Sequence, residues 1–442
     1  MGWDTVIRLA CLASGHSRYR FDRRLQADEQ LATEAVARMQ LEKLQALLAH
    51  AYATVPYYRE LFEREKITPQ DVRSLRDYAA LPILTKAIIR ERGTEAFRSS
   101  AFPPSRLADT TTSGSTGEPL RFLREHEYEE WRMAGSWRAW RWGGWAPGDK
   151  IAWVWREYWS QDRMTRLAKR LNWWITRRQL FDVHEMSGQT IDHWIEAFQQ
   201  FRPKFVHGFP SAVAHFAKHL ADRGARIRGI QAVFTNGEML QSGQRELIEQ
   251  AFNAKVHNVY GSSEVHPIAA ECRQGGLHLS TDLLVPELVD GPPGTDMKRI
   301  VLTPLHAYGM PLLRYEVGDV ALSTGDKCSC GLPFPVLEGL IGRAADVFPL
   351  PDGRVVHGQI LIAHMNGIRS VERFQFRQSR KDLLHLYIVK GAVFDERSDE
   401  EVARVRDTIS RECKIPVHVE YVAEIPRTSG GKFRYAVCEV NA

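Results

Sequence analysis

The stretch TTTSGSTGEPL at residues 110–120 is rich in hydroxyl side chains and glycine. Glycine lets the backbone approach a bound group closely, and successive backbone N–H groups in such a loop suit phosphate oxygens. The stretch is not a Walker A loop, because no Gly-Lys-Ser/Thr sequence follows it. Taken alone, it is equally typical of a phosphate-binding loop and of a flexible surface loop.

Further motifs follow in order along the chain, and a Gly342-Arg343 pair precedes the last of them. They are FTNGE (234–238), NVYGSSE (258–264), RYEVGD (314–319) and PRTSGGKFR (426–434). Most of them place a charged side chain next to glycine or serine at a point where a strand or turn would end. Taken singly, each is also typical of an ordinary strand end or a solvated loop.

Together, six motifs in this order resemble those of the adenylate-forming superfamily, and within it the phenylacetate–CoA ligase branch with its CapK-like and coenzyme F390 synthetase-like proteins. HAYATVPYYRELF, VHGFPSAV and GMPLLRYEVGD also resemble that branch, so the resemblance spans nearly the whole chain. It implies an α/β fold, with a large portion of mixed sheets, helices and a β subdomain followed by a small mobile α+β domain. It also implies an AMP-forming ligase that makes an acyl-adenylate, releases pyrophosphate and transfers the acyl group, by default to CoA.

The resemblance assigns ATP or AMP contacts to several residues. They are Thr112, Ser113, Gly114, Ser115, Thr116, Gly117, Gly237, Glu238, Tyr260, Gly261, Ser262, Ser263, Asp319 and Arg343. Tyr260 would stack on adenine, and Asp319 would accept hydrogen bonds from both ribose hydroxyls, as an ionised carboxylate can. Glu264 would hold Mg²⁺, which prefers oxygen ligands. The lysine that most relatives carry just after the phosphate loop is absent, because Leu120 follows Pro119.

Lys432 is the implied catalytic cation, acting with Glu264. Its compact ammonium would bridge the carboxylate and the α-phosphate as charge builds between them. Ala345 stands where relatives carry a hinge acid or lysine, so the first half-reaction is better supported than the second. The acceptor stays open between CoA, an amine, a sugar hydroxyl and a carrier thiol. A CapK-like enzyme forming an amide or ester in polysaccharide or secondary-metabolite biosynthesis is one alternative, and a non-catalytic scaffold is another.

A second chemical cluster is suggested by cysteine spacing. Cys328 and Cys330 lie in CSCG, and Cys272 and His278 lie in ECRQGGLH about fifty residues upstream. Three thiolates and one imidazole would form a closed tetrahedral structural Zn²⁺ site. The alternative is four unrelated residues.

The aromatic residues allow two interpretations. The resemblance places His207, Gly208 and Phe209 near the acyl substrate, a small carboxylic acid, and nearby tryptophans could line that pocket. The run WRMAGSWRAWRWGGW (131–145) interleaves arginine and tryptophan, as in single-strand nucleic-acid binding. Its helical period instead puts Ala134, Trp137 and Trp140 on one core-facing side with arginine outside. We therefore expect no nucleic-acid partner.

Composition agrees with a globular enzyme. The chain has 442 residues, a net charge of +5 and a pI near 8.8, which suits an anionic small ligand. No apolar window approaches the roughly 18 residues of a membrane span, and Arg8 interrupts the apolar start expected of a signal peptide. Six cysteines are too few for a disulfide framework. We expect reduced thiols and a cytoplasmic location, and the sequence leaves the oligomeric state open.

Hydrophobic periodicity predicts the elements that must position these motifs. Residues 28–65 indicate two helices broken near Val55-Pro56, and 126–142 indicate another. IAWVW (151–155) indicates a buried strand, and strand and helix patterns alternate from residue 185 to 265, which predicts a parallel sheet with crossover helices. Short strands between 277 and 325 predict a β subdomain. We expect a large domain at 1–342, carrying ATP and acid, and a small α+β domain at 343–442, carrying Lys432.

Overall fold

A computed structural model describes residues 3–440 except 112–119, 157–169, 185, 292–295, 326–327, 344–346, 366–367, 369 and 428–432. The helices are α1 (Trp3–Ala13), α2 (Arg18–Asp28), α3 (Thr33–Thr54), α4 (Pro56–Glu65), α5 (Leu75–Tyr78), α6 (Lys86–Arg92), α7 (His126–Trp142), α8 (Gly188–Phe201), α9 (Pro210–Asp222), α10 (Ser242–Phe252), α11 (Gly358–Met365) and α12 (Glu396–Cys413). Residues 170–175 are also helical. None of the helices in these described ranges has the length and hydropathy needed to cross a membrane.

The strands form five sheets. They are β1 (Leu107–Thr111), β2 (Arg121–Glu125), β3 (Ile151–Trp155), β4 (Arg178–Asp182), β5 (Phe205–Gly208), β6 (Ala232–Asn236), β7 (Lys255–Tyr260), β8 (Ala269–Glu271), β9 (Leu277–Leu279), β10 (Leu284–Asp290), β11 (Lys298–Pro304), β12 (Tyr315–Ala321), β13 (Ser323–Gly325), β14 (Val336–Glu338), β15 (Gly342–Arg343), β16 (Val347–Pro349), β17 (Val355–His357), β18 (Val371–Arg380), β19 (Leu383–Lys390), β20 (Val417–Tyr421) and β21 (Ala436–Cys438).

The largest sheet has nine strands in the order β13-β14-β9-β8-β7-β6-β5-β3-β4. The five strands β4, β3, β5, β6 and β7 are parallel; β5 to β7 confirm the prediction from the alternating pattern, and β3 and β4 extend the parallel sheet beyond it. Helices α8, α9 and α10 cover one face, and α1 and α7 pack on the other. Because the strands are parallel, the loops after β5, β6 and β7 emerge at one edge. Those loops carry three of the predicted motifs.

A second sheet has the order β10-β11-β12-β15 and packs against α3 and α4. The predicted helix break is confirmed, since α3 ends at Thr54 and Pro56 begins α4. The β-rich region predicted at 277–325 divides between sheets, because β9 joins the large sheet whereas β10 to β12 form this one. Residue Leu84 adds to β12 through a bridge with Tyr315.

The C-terminal part contains a four-stranded sheet in the order β20-β19-β18-β21, packed with α11 and α12 around a separate core. This is the α+β arrangement expected for the end of the chain. The division at residues 342 and 343 stays a prediction.

Helix α7 confirms one part of its prediction and corrects another. Ala134, Trp137 and Trp140 are buried as expected. Arg138 was expected outside, yet it is 1% exposed and its Nη1 lies 2.5 Å from Oδ2 of Asp282, which is fully buried. Helix α7 is enclosed by the large sheet, α2 and the segment around Asp282, so it has little solvent face. The buried arginine is tolerated because a carboxylate meets it.

Arg138→Met is therefore expected to lower the free energy of unfolding by about 3–5 kcal/mol, because it leaves Asp282 as a buried unpaired charge. Urea unfolding followed by tryptophan fluorescence measures the change. Arg141→Met on the same helix removes ion pairs of a partly exposed arginine with Asp22 and Glu29 and serves as the control, with a smaller loss. Arg138→Met with Asp282→Leu should recover much of the stability. A loss for Arg138→Met no larger than the control's would contradict this interpretation.

Candidate active site

The ends of β7 and β12 bring three predicted site residues together. The hydroxyl of Tyr260 donates a hydrogen bond to Oδ2 of Asp319 at 2.7 Å. The hydroxyl of Tyr315 donates to Oε1 of Glu264 at 2.7 Å. Asp319 and Glu264 are both buried, whereas Tyr260 keeps part of its surface exposed. The arrangement holds two carboxylates and one accessible aromatic ring at the same edge of the two sheets.

Glu264 is held as a carboxylate despite being 4% exposed. Burial by itself raises its pKa, but the charge of Lys86 and the hydrogen bond from Tyr315 outweigh burial and keep the pKa below its usual value. Nζ of Lys86 lies 3.6 Å from Oε1 of Glu264. The site therefore holds Glu264 as an ionised acid next to the Lys86 side chain.

Lys86 is a functional candidate that the sequence analysis missed. Backbone hydrogen bonds from Leu84 N to Arg314 O (2.9 Å) and from Glu316 N to Leu84 O (2.9 Å) fasten this segment to β12. Lys86 then begins α6, capped by Thr85. A lysine in the first helical turn is disfavoured by the helix dipole, and that mismatch is the one local signal that could have identified it.

The loop at 261–264 is shaped by close packing and by arginines. A Cβ on Gly261 would lie 2.2 Å from Nδ1 of His266, so only glycine fits there. Ser262 N donates to Val265 O at 2.8 Å and closes a turn. The carbonyl of Ser263 accepts from Nη2 of Arg124 at 2.6 Å. The turn thus aims Glu264 inward, with a guanidinium beside the loop.

The predicted phosphate loop, Thr112 to Gly117, lies outside the described residues. Its flanks are described, because Thr111 at the end of β1 pairs with Arg121 at the start of β2. Strand β2 also carries Arg124, which contacts Ser263. The hairpin that bears the loop is therefore attached to the glutamate turn.

Glu238 connects the site edge to the C-terminal part of the chain. Its Oε2 accepts from Ser211 N at 3.0 Å, and its Oε1 accepts from Phe433 N at 2.8 Å. Nη1 of Arg427 donates to Oγ of Ser211 at 2.9 Å. Gly237 has φ +88° and packs against the ring of Phe209. The carboxylate predicted to line the adenine pocket thus contacts backbone from the small domain.

Lys432 lies outside the described residues, and so does the rest of 428–432. The described residues on either side, Arg427 and Phe433, both reach the ends of β5 and β6. Arg343 pairs through its backbone with Asp319 in the antiparallel β12–β15 ladder. The assigned roles of all these residues stay predictions.

The residues predicted near the acyl substrate lie at the carboxyl end of β5 and directly after it. His207 is buried, and Phe209 stacks on Trp155 with ring centroids 3.8 Å apart. Burial, with a smaller contribution from the charge of Arg178, lowers the pKa of His207 to about 3. His207 is therefore neutral at physiological pH. Gly208 fits tightly, since a Cβ there would lie 2.7 Å from Val154 O.

The four predicted metal ligands converge. The ligand atoms of Cys272, His278, Cys328 and Cys330 all lie within 4.8 Å of one another. Nε2 of His278 lies 3.1 Å from Sγ of Cys330, while its Nδ1 lies 2.7 Å from the carbonyl of Phe334, so Nδ1–H donates there and Nε2 faces the thiols. Gly276 permits the close approach, since a Cβ there would lie 2.9 Å from Sγ of Cys328.

Several known proteins are similar to this chain in sequence or in fold. Residues 349–439 match the family model of the CapK C-terminal domain. Phenylacetate-coenzyme A ligase of Thermus thermophilus is 25% identical over 451 aligned residues, which cover 92% of this chain and 97% of that protein. Protein CapK of Staphylococcus aureus is 25% identical over 58% of this chain and 58% of its own length.

Among solved structures, 2-hydroxyisobutyryl-CoA ligase in the postadenylation state in complex with 2-HIB-AMP matches with a TM-score of 0.75. The identity is 22%, and the match covers 93% of this chain and 91% of that chain. The structural likeness shows that this chain has the fold of 2-hydroxyisobutyryl-CoA ligase, and residues 349–439 are similar to the CapK C-terminal domain.

Proposed function

We propose that the protein activates a carboxylic acid with ATP and forms an acyl-adenylate. The observation that carries the proposal is the convergence of Tyr260, Glu264 and Asp319 with the cation Lys86 at one edge of this fold. That group combines a ring face for a base, an acceptor for ribose hydroxyls and fixed charges for phosphate chemistry. The whole-length similarity to a phenylacetate-coenzyme A ligase supports the same reaction.

In the proposed reaction, an oxygen of the substrate carboxylate attacks the α-phosphorus. A new phosphorus–oxygen bond forms to the acid, the bond between the α-phosphorus and the bridging oxygen breaks, and pyrophosphate leaves with that electron pair. Two anionic groups must approach each other, so catalysis depends on preorganised positive charge. Lys86 and Arg124 supply it from the described residues, and Lys432 would supply it from the small domain.

Mg²⁺ is the metal that this fold family implies, and the residues present fit it. Glu264 is an ionised, hard oxygen donor, and Mg²⁺ typically takes one or two carboxylates together with substrate phosphates and water. Bound there, the ion would neutralise phosphate charge. Tyr315 orients the carboxylate, and Lys86 keeps it ionised. The hydroxyl of Tyr260 orients the Asp319 carboxylate, which would accept hydrogen bonds from the ribose hydroxyls.

CoA is the proposed acceptor by default, because the relatives similar over most of this chain are named as CoA ligases. The match of residues 349–439 to the CapK C-terminal domain favours a second candidate, in which the acyl group passes to an amine or hydroxyl. Both candidates share the first half-reaction. Release of AMP that depends on added CoA separates them. We also propose that the enzyme works in the cytoplasm, where its thiols stay reduced.

Lys432→Ala is expected to slow ATP–pyrophosphate exchange at least 100-fold, which corresponds to about 3 kcal/mol for one preorganised charge. The assay uses a panel of aryl and fatty acids with the full chain. Lys381→Ala, an exposed lysine of the same domain, is the control and should exchange normally. Exchange by Lys432→Ala at the wild-type rate would remove Lys432 from the mechanism, and no exchange by wild type with any acid would oppose the proposal.

Lys86→Met should slow the same exchange by roughly 10- to 100-fold, whereas Lys86→Arg should retain more of the activity. The pKa of Glu264 rises when the neighbouring cation is lost, and the ionised form is the active one. The acid limb of the pH–rate profile should therefore move to higher pH in Lys86→Met.

Lys255→Met, an exposed lysine at the opposite end of β7, is the matched control and should leave both rate and profile unchanged. A Lys86→Met enzyme with an unmoved acid limb would show that Lys86 does not act on Glu264.

We propose that Cys272, His278, Cys328 and Cys330 bind a structural zinc ion. Three thiolates and an imidazole whose other nitrogen is anchored fit Zn²⁺ well and leave no open position for substrate. The ion would tie the β8–β9 turn to the segment before β14. Its chemistry is structural, so no step of the reaction passes through it.

The purified protein should contain one equivalent of zinc, and Cys328→Ser should lose most of it. Structural zinc contributes roughly 10 kcal/mol in small zinc-finger peptides, so a fall in Tm of several degrees is expected here. Elemental analysis and a thermal melt measure the two effects. Cys438→Ser, a half-buried thiol of the small domain, is the control. Full zinc content in Cys328→Ser, or a zinc-free wild type of equal stability, would contradict the assignment.

A further inference from the structure

A row of aromatic rings leads away from the candidate nucleotide site along one face of the large sheet. It begins where Gly237 approaches Phe209 and Trp155. Trp155 then stacks on His207 with centroids 5.4 Å apart, and His207 contacts Trp153 at 4.3 Å. These rings share a face because alternate residues of a strand point the same way. The row runs from the carboxyl end of β3 towards its amino end.

Solvent reaches this face although it belongs to an inner strand. Strand β3 has β4 on one side and β5 on the other, yet Trp153 and Trp155 both keep part of their surface exposed. A core-filling tryptophan on an inner strand would be closed off by the helices above it. Within the described part of the chain, these two rings are therefore not fully covered.

Arg178 stands at the far end of the row. Its guanidinium carbon lies 4.7 Å from the ring centroid of Trp153 and 5.5 Å from that of Trp140. It also lines an open cleft of about 780 Å³ at the edge strand β4. Three further cations line the same cleft: Lys150, Arg170 and Arg177. Arg178 thus lies where the aromatic row meets a basic cleft.

Among the described residues, the cations that line this cleft form no ion pair with a carboxylate. For Arg178, the neighbouring charged group is the cation Arg18. Lys150 donates to Phe201 O at 2.8 Å, and Arg177 donates to Gly148 O at 3.0 Å, both neutral acceptors. Asp182 is the single acid among the described lining residues, and its carboxylate is bonded to His184.

The surroundings of Arg178 also make its positive charge energetically unfavourable. Burial, with a smaller effect of Arg18, lowers the pKa of its guanidinium to about 10, so the side chain stays protonated at neutral pH but loses part of its hydration, although the residue keeps some surface exposed. A partly desolvated cation without a counter-charge is unfavourable. Proteins usually place a carboxylate beside such a group, as this chain does for Arg138. A ligand anion would supply the counter-charge that Arg178 lacks among the described residues.

We propose that the acid activated by this enzyme carries a second anionic group at the end remote from the reacting carboxylate, and that Arg178 binds it. The inference rests on the proposed function. Trp153 and Trp155 would pack against the apolar body of the substrate between the two anions. Ile151 pairs with Arg178 and lies four residues before Trp155. At about 3.3 Å per residue, the backbone at Trp155 lies about 13 Å from the position that pairs with Arg178, and we take this as the scale of the separation between the two anions.

The first test is ATP–pyrophosphate exchange with α,ω-dicarboxylic acids and with the monocarboxylic acids of equal length. Wild type should prefer dicarboxylates that span roughly 13 Å, at least tenfold in kcat/KM and mainly through KM. The preference should fall to about one in Arg178→Met and persist in part in Arg178→Lys. Arg226→Met, an exposed arginine after α9, is the control and should keep the wild-type preference.

The second test is binding without turnover. A thermal shift by the same acids, with ATP and without Mg²⁺, should be larger for dicarboxylates in wild type and equal for both acids in Arg178→Met. If Arg178→Met does not fold, Arg178→Gln replaces it.

The outcomes separate the two proposals. Exchange with monocarboxylic acids and no dicarboxylate preference or dicarboxylate-dependent shift would overturn the Arg178 inference and leave the proposed function standing. A dicarboxylate-dependent shift that Arg178→Met abolishes, without exchange, would support the anion site and oppose the function. Neither exchange nor a dicarboxylate-dependent shift would overturn both.

Discussion

The carboxylate of Glu264 is the constraint on which the candidate site depends. A buried acid normally takes up a proton, which would remove the anion proposed to hold Mg²⁺ beside the ATP phosphates. Here the hydroxyl of Tyr315 and the ammonium of Lys86 keep the charge in place. The same contacts fasten three separate parts of the chain: the turn after β7, strand β12 and the start of α6. The same contacts therefore keep Glu264 ionised and hold these three segments together.

The small domain reaches this site through a different carboxylate. Glu238 accepts from the backbone of Phe433 while also holding the start of α9 through Ser211. A contact to backbone N–H is insensitive to the side chain at Phe433, so it fixes the path of the chain. Because Phe433 directly follows Lys432, this contact gives a physical reason for expecting the lysine to be delivered to the end of β6. In this fold, domain position and chemistry would then be coupled.

Much of the fold could be predicted from periodicity, because long amphipathic helices and alternating β and α patterns are local signals. The helix at 126–142 and the break at Pro56 are examples. Arg138 shows the limit, since its burial depends on Asp282, which no local pattern connects to it. Lys86 was missed because no local sequence pattern connects it to Glu264. In the sequence, Arg177 and Arg178 look like a solvated pair of arginines. Only the pairing of β4 with β3 brings the Arg178 guanidinium over the ring of Trp153. The Cys/His cluster was predictable because its spacing is itself the signal.

The most direct test of the central claim follows one oxygen atom. An acid that supports exchange is labelled with ¹⁸O in its carboxylate and incubated with the enzyme, ATP and an acceptor. The account predicts that the AMP released carries one labelled oxygen, because a carboxylate oxygen becomes bonded to the α-phosphorus and stays there when the acyl group leaves. Label in inorganic phosphate, with ADP as the nucleotide product, would contradict it and indicate attack at the γ-phosphorus instead.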